Sequence, residues 1–385
     1  MTDTPWRITL ADVVLDERER SAVDEVLRSG WLSMGPITER FEGEFSRYLG
    51  GGQAVAVTNG TAALHLAAAT LGIGPGDEVI CPTLTFVATA AAMLQAGAEV
   101  RFADSTSLDD FSIDPAEIDR LVTERTKAVV VMHYGGFPVD MDAIRAAAAR
   151  HELLVIEDAA HALGSELDGE PCGRLGDAGC FSFFPNKNMT TGEGGMVVFH
   201  EEEAGAAARR LRSHAMTTLT WDRHRGHATG YDVTGLGFNY RIDEIRAALG
   251  SVQISRIDEL NVVRSKLTDR YRERLEGSAF EVPSFGRRGR SAHHLMVVVS
   301  SSRDERDRVR ERLRQLRIQT SVHYPPVHRF SYYRDQKLEL PRAEEIADRL
   351  LTLPLHPKLT DSDVDIVCNA LLEHRGGRIR RRPRA

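Results

Sequence analysis

Residues 180–197 read CFSFFPNKNMTTGEGGMV, and the rest of the chain is best read outward from this stretch. Cys180–Phe184 is an apolar run of strand character that turns at Pro185. Lys187 sits in the turn between Asn186 and Asn188. Two threonines follow, then Gly192, Gly194 and Gly195, then a second apolar run, Met196–Phe199. A lysine placed this way is held by rigid elements on both sides, and the glycines let the backbone come close to a ligand. Burial disfavours an ammonium, so such a lysine loses its proton more readily and can attack an aldehyde. Read alone, the stretch also fits a solvated turn lysine; the rest of the chain has to choose.

Upstream and downstream of this turn, short apolar strands alternate with helices. Val55–Val57, Glu78–Cys81, Val100–Phe102, Ala128–Met132, Leu153–Ile156, Gly179–Phe184 and Met196–Phe199 read as strands. Ala62–Leu71, Thr85–Ala96, Pro115–Thr123 and Met141–Arg150 read as helices. The rhythm predicts an α/β fold, with a mostly parallel central sheet and helices on both faces. Two amphipathic helices, Leu15–Arg28 and Ile37–Leu49, precede it, joined by GWLSMGP (Gly30–Pro36). A helix at Glu203–Arg212, a polar stretch at Met216–Gly237 and a helix at Asp243–Ile254 follow.

A boundary is expected near 255–265. Beyond it, strands Leu295–Ser300 and Ile318–Tyr324 flank the charged helix Arg303–Leu316, and helices Ala343–Thr352 and Asp361–Glu373 close the fold. This divides the chain into a large domain (1–260), a smaller C-terminal α/β domain (261–374) and a basic tail (375–385). The tail lacks apolar periodicity and is expected to stay disordered.

Bulk properties narrow the function. A length of 385 residues exceeds what one core usually serves. The net charge of −7 argues against a nucleic-acid binder. No run of about 18 apolar residues is present to span a membrane, and MTDTPWRITL lacks a signal-peptide pattern. Cys81, Cys172, Cys180 and Cys368 form no CxxC and read as free thiols, which points to a reducing, cytoplasmic setting.

Several residues can share chemistry with Lys187. Asp158 follows the strand Leu153–Ile156, where α/β proteins usually bind ligands, and precedes Lys187 by 29 residues. A lysine that bonds an aldehyde and a carboxylate facing a pyridinium nitrogen are what a pyridoxal phosphate (PLP) site requires. Asp158 would equally serve as a helix cap. Thr58–Thr61 runs from a strand into a helix, so the Gly60 and Thr61 amides and the Thr61 hydroxyl can hold a phosphate. Ser182 can add a hydroxyl. Phe86 can stack on a flat ring or join a core, and His161 can flank that ring or cap a helix. Metal readings are weak: His224 and His227 form HxxH without carboxylates, and His323 and His328 flank two prolines. Neither a dinucleotide fingerprint nor a GxSxG elbow is present.

Taken together, GWLSMGP, NGTAALHLA, GDEVICPTLTFVAT, HYGGFPVDMD, VIEDAAHALGS, FSFFPNKNMTTGEGGMV, LGFNYRIDEIRAALG, HHLMVVV and SVHYPPVH resemble the DegT/DnrJ/StrS family of PLP-dependent sugar aminotransferases. The likeness runs from about Ile8 to about Leu372. It implies fold type I, with Lys187 as the covalent lysine and proton shuttle and Asp158 on the ring nitrogen. It also implies Phe86 and His161 against the ring, and Gly60, Thr61 and Ser182 on the phosphate. Asn239 is expected to reach the phosphate of a neighbouring subunit, which implies a homodimer with shared sites; its alternative is to cap the following helix.

The same resemblance implies an amino acid donor, L-glutamate, cycling of the cofactor through pyridoxamine phosphate (PMP), and a keto-sugar acceptor linked to a nucleotide. Trp31, Arg225, Arg241, His323 and Tyr324 are candidate substrate contacts. Two departures bear on the substrate: His293 stands where many members have tyrosine, and MTTLTWDRHRGHATGYDV is not a general family feature. A keto-cyclitol acceptor is the nearest alternative. The related sugar dehydratases replace the lysine with histidine, and Lys187 argues against them. A cofactor-binding regulatory protein is the reading outside enzymes. Neither nucleic acid nor membrane is expected as a partner.

Overall fold

The structure is a computed structural model that describes residues 6–218, 230–334 and 338–373. Its strands in the first half are β1 (Gln53–Val57), β2 (Glu78–Pro82), β3 (Glu99–Ala103), β4 (Thr126–Met132) and β5 (Leu154–Asp158). A small hairpin follows, β6 (Glu166–Leu167) and β7 (Glu170–Pro171), then β8 (Ala178–Ser182) and β9 (Gly195–Phe199). Among the described residues seven of these form one sheet, in the order β1-β9-β8-β5-β4-β2-β3. From β3 to β8 every pairing is parallel; β9 runs antiparallel to both β8 and β1.

Side chains alternate across a pleated strand, so each strand feeds two cores. Val55, Val57, Val130, Ile156 and Cys180 pack on one face with the alanine-rich helix Gly60–Thr70. Ala54, Ala56, Val129, Val131, Val155 and Phe181 pack on the other with Phe41 and Phe45 of helix Pro36–Tyr48. Both faces are therefore covered by helices, as a mostly parallel sheet needs.

A third core cluster forms around an antiparallel pair, β10 (Met296–Val299) with β11 (Leu350–Leu353). Here the sequence reading needs two corrections. Ile318–Tyr324 does not form the expected strand; among the described residues it makes single bridges, Ile8 with Ile318 and Ser321 with Thr352. The expected helix Ala343–Thr352 is helical only in Pro341–Arg349, after which Leu350–Leu353 pairs with β10. Leu350, Leu351 and Leu353 continue an apolar stripe, and nothing local separates that stripe from a buried strand.

A third element went unread. Ile257–Leu275 is one long helix, and it runs through the expected 260/261 boundary. The expected helix at Thr85–Ala96 begins only at Ala88, because Thr85 and Phe86 belong to the turn at the cavity edge. The four cysteines are buried and unpaired. Among the described residues no helix is long and apolar enough to cross a membrane.

Candidate active site

The C-terminal ends of β4, β5 and β8 share one edge of the sheet, because Met132 pairs with Asp158 and Asp158 with Cys180. A cavity of about 610 Å³ opens there. Lys187, Asp158, Phe86, His161, Gly60, Thr61 and Ser182 all line it, so one cleft gathers residues scattered over some 130 positions of the chain (roughly, as loops at a parallel sheet edge allow).

Lys187 rides on the loop between the antiparallel strands β8 and β9. Its amide donates to the Phe184 carbonyl at 2.9 Å, and Thr191 and Gly194 tie the loop back to Phe183. Burial pushes the Lys187 ammonium down to about 8, against the pull of the Asp158 charge. A useful fraction of the amine is thus neutral near physiological pH.

Asp158 is 4% exposed. Its Oδ2 accepts from Thr89 Oγ1 at 2.6 Å, and its Oδ1 from the Ala160 amide at 3.2 Å. Burial pushes its carboxyl up, while these two donors, Lys187 and His133 pull it down. With one donor on each oxygen, lone pairs are left for a cationic N–H in the cavity.

Asn59 caps helix Gly60–Thr70, its side chain accepting from the Ala62 amide at 2.8 Å. Among the described residues the Gly60 and Thr61 amides have no acceptor. Two uncommitted donors at a helix start make an anion site. Glycine is needed at 60: a Cβ there would lie 2.8 Å from Ser182 Cβ. The contact brings the Ser182 hydroxyl to the same spot.

Above the cleft, the Phe86 ring is 52% exposed and lies 5.8 Å from the Tyr324 ring. An exposed aromatic at a cavity edge offers a stacking face. His161 is buried; its Nδ1 accepts from the Gly135 amide and its Nε2 lies 2.9 Å from the Tyr324 hydroxyl. His323 lines the cavity too, and burial together with the Lys187 charge pushes its imidazole down to about 4.

Not every candidate meets in the cleft. Trp31 packs over Gly35, and Arg241 bridges to Val57; neither lines the cavity. Asn239 is exposed and also absent from the lining of its own chain. The following helix is capped by Asp243, whose side chain accepts from the Arg246 amide, so Asn239 does not serve as that cap. Arg225, His224 and His227 lie outside the described residues. His328 is tied to Thr83 at 2.6 Å and to Glu344 at 2.9 Å, linking the turn after β2 to helix Pro341–Arg349.

Sequence reasoning missed several lining or supporting residues. Thr89 follows Thr85 by four residues, and their hydroxyls are 2.7 Å apart; paired threonines in an apolar stretch were the available signal. His294 packs against His161 with ring centroids 4.1 Å apart and planes tilted by 36°, and is fixed by Asn188 at 2.8 Å. Tyr240, Phe184, Asn186 and Glu193 complete much of the wall.

The model of the DegT/DnrJ/EryC1/StrS aminotransferase family matches residues 13–372. The spore coat polysaccharide biosynthesis protein SpsC of Bacillus subtilis (strain 168) is 39% identical over 368 residues, covering 93% of this chain and 94% of that protein. Spr1654 of Streptococcus pneumoniae, solved in a PLP form, is 28% identical with a TM-score of 0.89, covering 94% of this chain and 97% of that one. DesI, solved in the presence of its TDP-sugar product, is 32% identical with a TM-score of 0.86, covering 96% of this chain and 92% of that one.

Proposed function

This chain belongs to the DegT/DnrJ/EryC1/StrS aminotransferase family and is a PLP-dependent enzyme of fold type I; we propose that it aminates a keto-sugar linked to a nucleoside diphosphate, with L-glutamate as donor. The observation that carries the reading is the meeting of Lys187, Asp158 and Phe86 in one cleft beside the uncommitted Gly60 and Thr61 amides. That donor set fits PLP: an amine for its aldehyde, a carboxylate for its ring nitrogen, an aromatic face for its ring and N–H groups for its phosphate.

Bound PLP supplies an aldehyde that captures the amine and a ring that accepts electron density from the substrate carbon. The protein does the rest. Lys187 would hold the cofactor through Nζ, and the same nitrogen, with its lowered pKa, would move the proton of the donor α-carbon. Asp158 would face the ring nitrogen and favour its protonated form, and Thr89 holds the carboxylate in place. Phe86 covers the cleft from above, and the Gly60–Thr61 helix start holds a dianion. In the acceptor half-reaction the same Nζ would deliver a proton to the carbon that takes the amine.

Asn239 is read as the donor that each subunit of a homodimer lends to its neighbour's phosphate. Its exposure and its absence from its own cleft support this reading. The TDP-sugar that DesI was solved with supports a nucleotide-linked acceptor. A keto-cyclitol shares every cofactor residue and is the second reading. The deciding experiment loads the protein with PMP and offers keto-sugar nucleotides and keto-cyclitols in parallel. Recovery of the PLP absorbance with the nucleotides alone is expected. Recovery only with cyclitols replaces the acceptor, and recovery with neither overturns the reading.

A further inference from the structure

We propose that Tyr324 donates a hydrogen bond to an oxygen of the acceptor sugar, and that the Gly135 amide, acting through His161, turns the tyrosine proton toward the cavity. The inference rests on the sugar-acceptor reading above and goes beyond it by naming an orienting relay.

The relay follows from proton counting. The Gly135 N–H points at His161 Nδ1 at 3.3 Å. An amide N–H cannot accept, so Nδ1 must be unprotonated. A neutral imidazole carries one proton, which is then on Nε2. Nε2 lies 2.9 Å from the Tyr324 hydroxyl oxygen; histidine therefore donates and tyrosine accepts. A protonated imidazole would set Nδ1–H against the Gly135 N–H. Burial and the nearby Lys187 charge hold His161 well below the usual histidine range, which keeps it neutral.

With His161 as donor, the Tyr324 proton has to point elsewhere. Among the described residues no other group lies within hydrogen-bond distance of that hydroxyl, and Tyr324 lines the cavity. A guest in the cleft is its natural acceptor.

Neighbouring residues hold both ends of the relay. Gly135 has φ +64, a left-handed conformation that glycine takes without strain, and this aims its amide at His161. Tyr134, one residue earlier, donates its hydroxyl to the His323 carbonyl and so fixes the loop that carries Tyr324.

The chemistry of the hydroxyl suits the guest: a neutral phenol donor matches the carbonyl and hydroxyl oxygens of a sugar.

The test measures the two half-reactions separately on holoenzyme. Tyr324→Phe is expected to slow the acceptor half-reaction at least about tenfold more than the donor half-reaction, the effect of one lost hydrogen bond to an otherwise neutral oxygen. His161→Ala should shift the same ratio. His161→Gln, which keeps an N–H near the Nε2 position, should restore it. Calorimetry gives a readout without turnover: in Lys187→Ala protein loaded with PMP, adding Tyr324→Phe should weaken keto-sugar nucleotide binding about tenfold. Equal slowing of both half-reactions, unchanged binding, or His161→Gln as damaging as His161→Ala would each overturn the relay. Failure of the wild-type protein to accept any keto-sugar would instead remove the acceptor reading, and the inference with it, before any variant is compared.

Discussion

Thr89 Oγ1 donates to Asp158 Oδ2 at 2.6 Å, deep inside the fold. The bond fixes the carboxylate rotamer without neutralising it. Asp158→Asn should therefore still bind cofactor yet lose about a hundredfold or more in rate, roughly 3 kcal/mol of transition-state stabilisation. Thr89→Val keeps the charge and loses only the orienting donor. Its expected loss is about threefold to tenfold, and Thr89→Ser should recover most of it. Single-turnover rates check both. A near-normal rate in Asp158→Asn would reduce that residue to a structural role.

Lys187→Ala should fold, bind cofactor without a covalent link and turn over no substrate. The loop around Lys187 is held by backbone bonds among Phe183, Phe184, Thr191 and Gly194, none of which uses the lysine side chain. Borohydride reduction of the wild-type holoenzyme followed by peptide mapping is the check, and a label on any other lysine refutes the assignment.

The lowered Lys187 pKa gives a pH dependence with a definite sign. The folded value, about 8, lies below the ordinary lysine value of 10.5. The neutral, attacking amine therefore grows as pH rises, and capture of PLP by the apoprotein should speed up with a midpoint near 8 and then level off. Between about 8 and 10.5 the unfolded chain holds more protons than the folded one, so apoprotein stability from this group rises with pH in that window and is unaffected below it. Stopped-flow absorbance measures the first effect; a capture rate flat from pH 6 to about 9 contradicts it.

Mixed dimers test the placement of Asn239. If it acts in the neighbour's site, a Lys187→Ala chain paired with an Asn239→Ala chain yields one doubly damaged and one intact site. At limiting cofactor the mixture should regain activity that neither homodimer has. No recovery after confirmed subunit exchange would put Asn239 in its own subunit's site or outside the site.

The sequence alone determined the alternation of strands and helices in residues 50–200, because local apolar period and turn residues report which face of an element is buried. It also singled out Lys187, Asp158, Phe86, Gly60 and Ser182 as candidates at strand ends, turns and a helix start, and these line one cavity. It read the family through motifs kept in order. Tertiary structure decided what depends on partners far away in the chain. Leu350–Leu353 became a strand because β10 offered it a register, where the apolar stripe by itself continued the helix. The 19-residue helix Ile257–Leu275 runs across the expected boundary because its N-terminal Ile257 packs in the core of the large sheet while Leu267, Tyr271 and Leu275 pack in the core around β10 and β11. His161 and Tyr324 stand 163 residues apart, and Thr89 and Asp158 stand 69 apart. A hydrogen bond depends on about 3 Å of space between two atoms, and no local pattern along the chain encodes that distance.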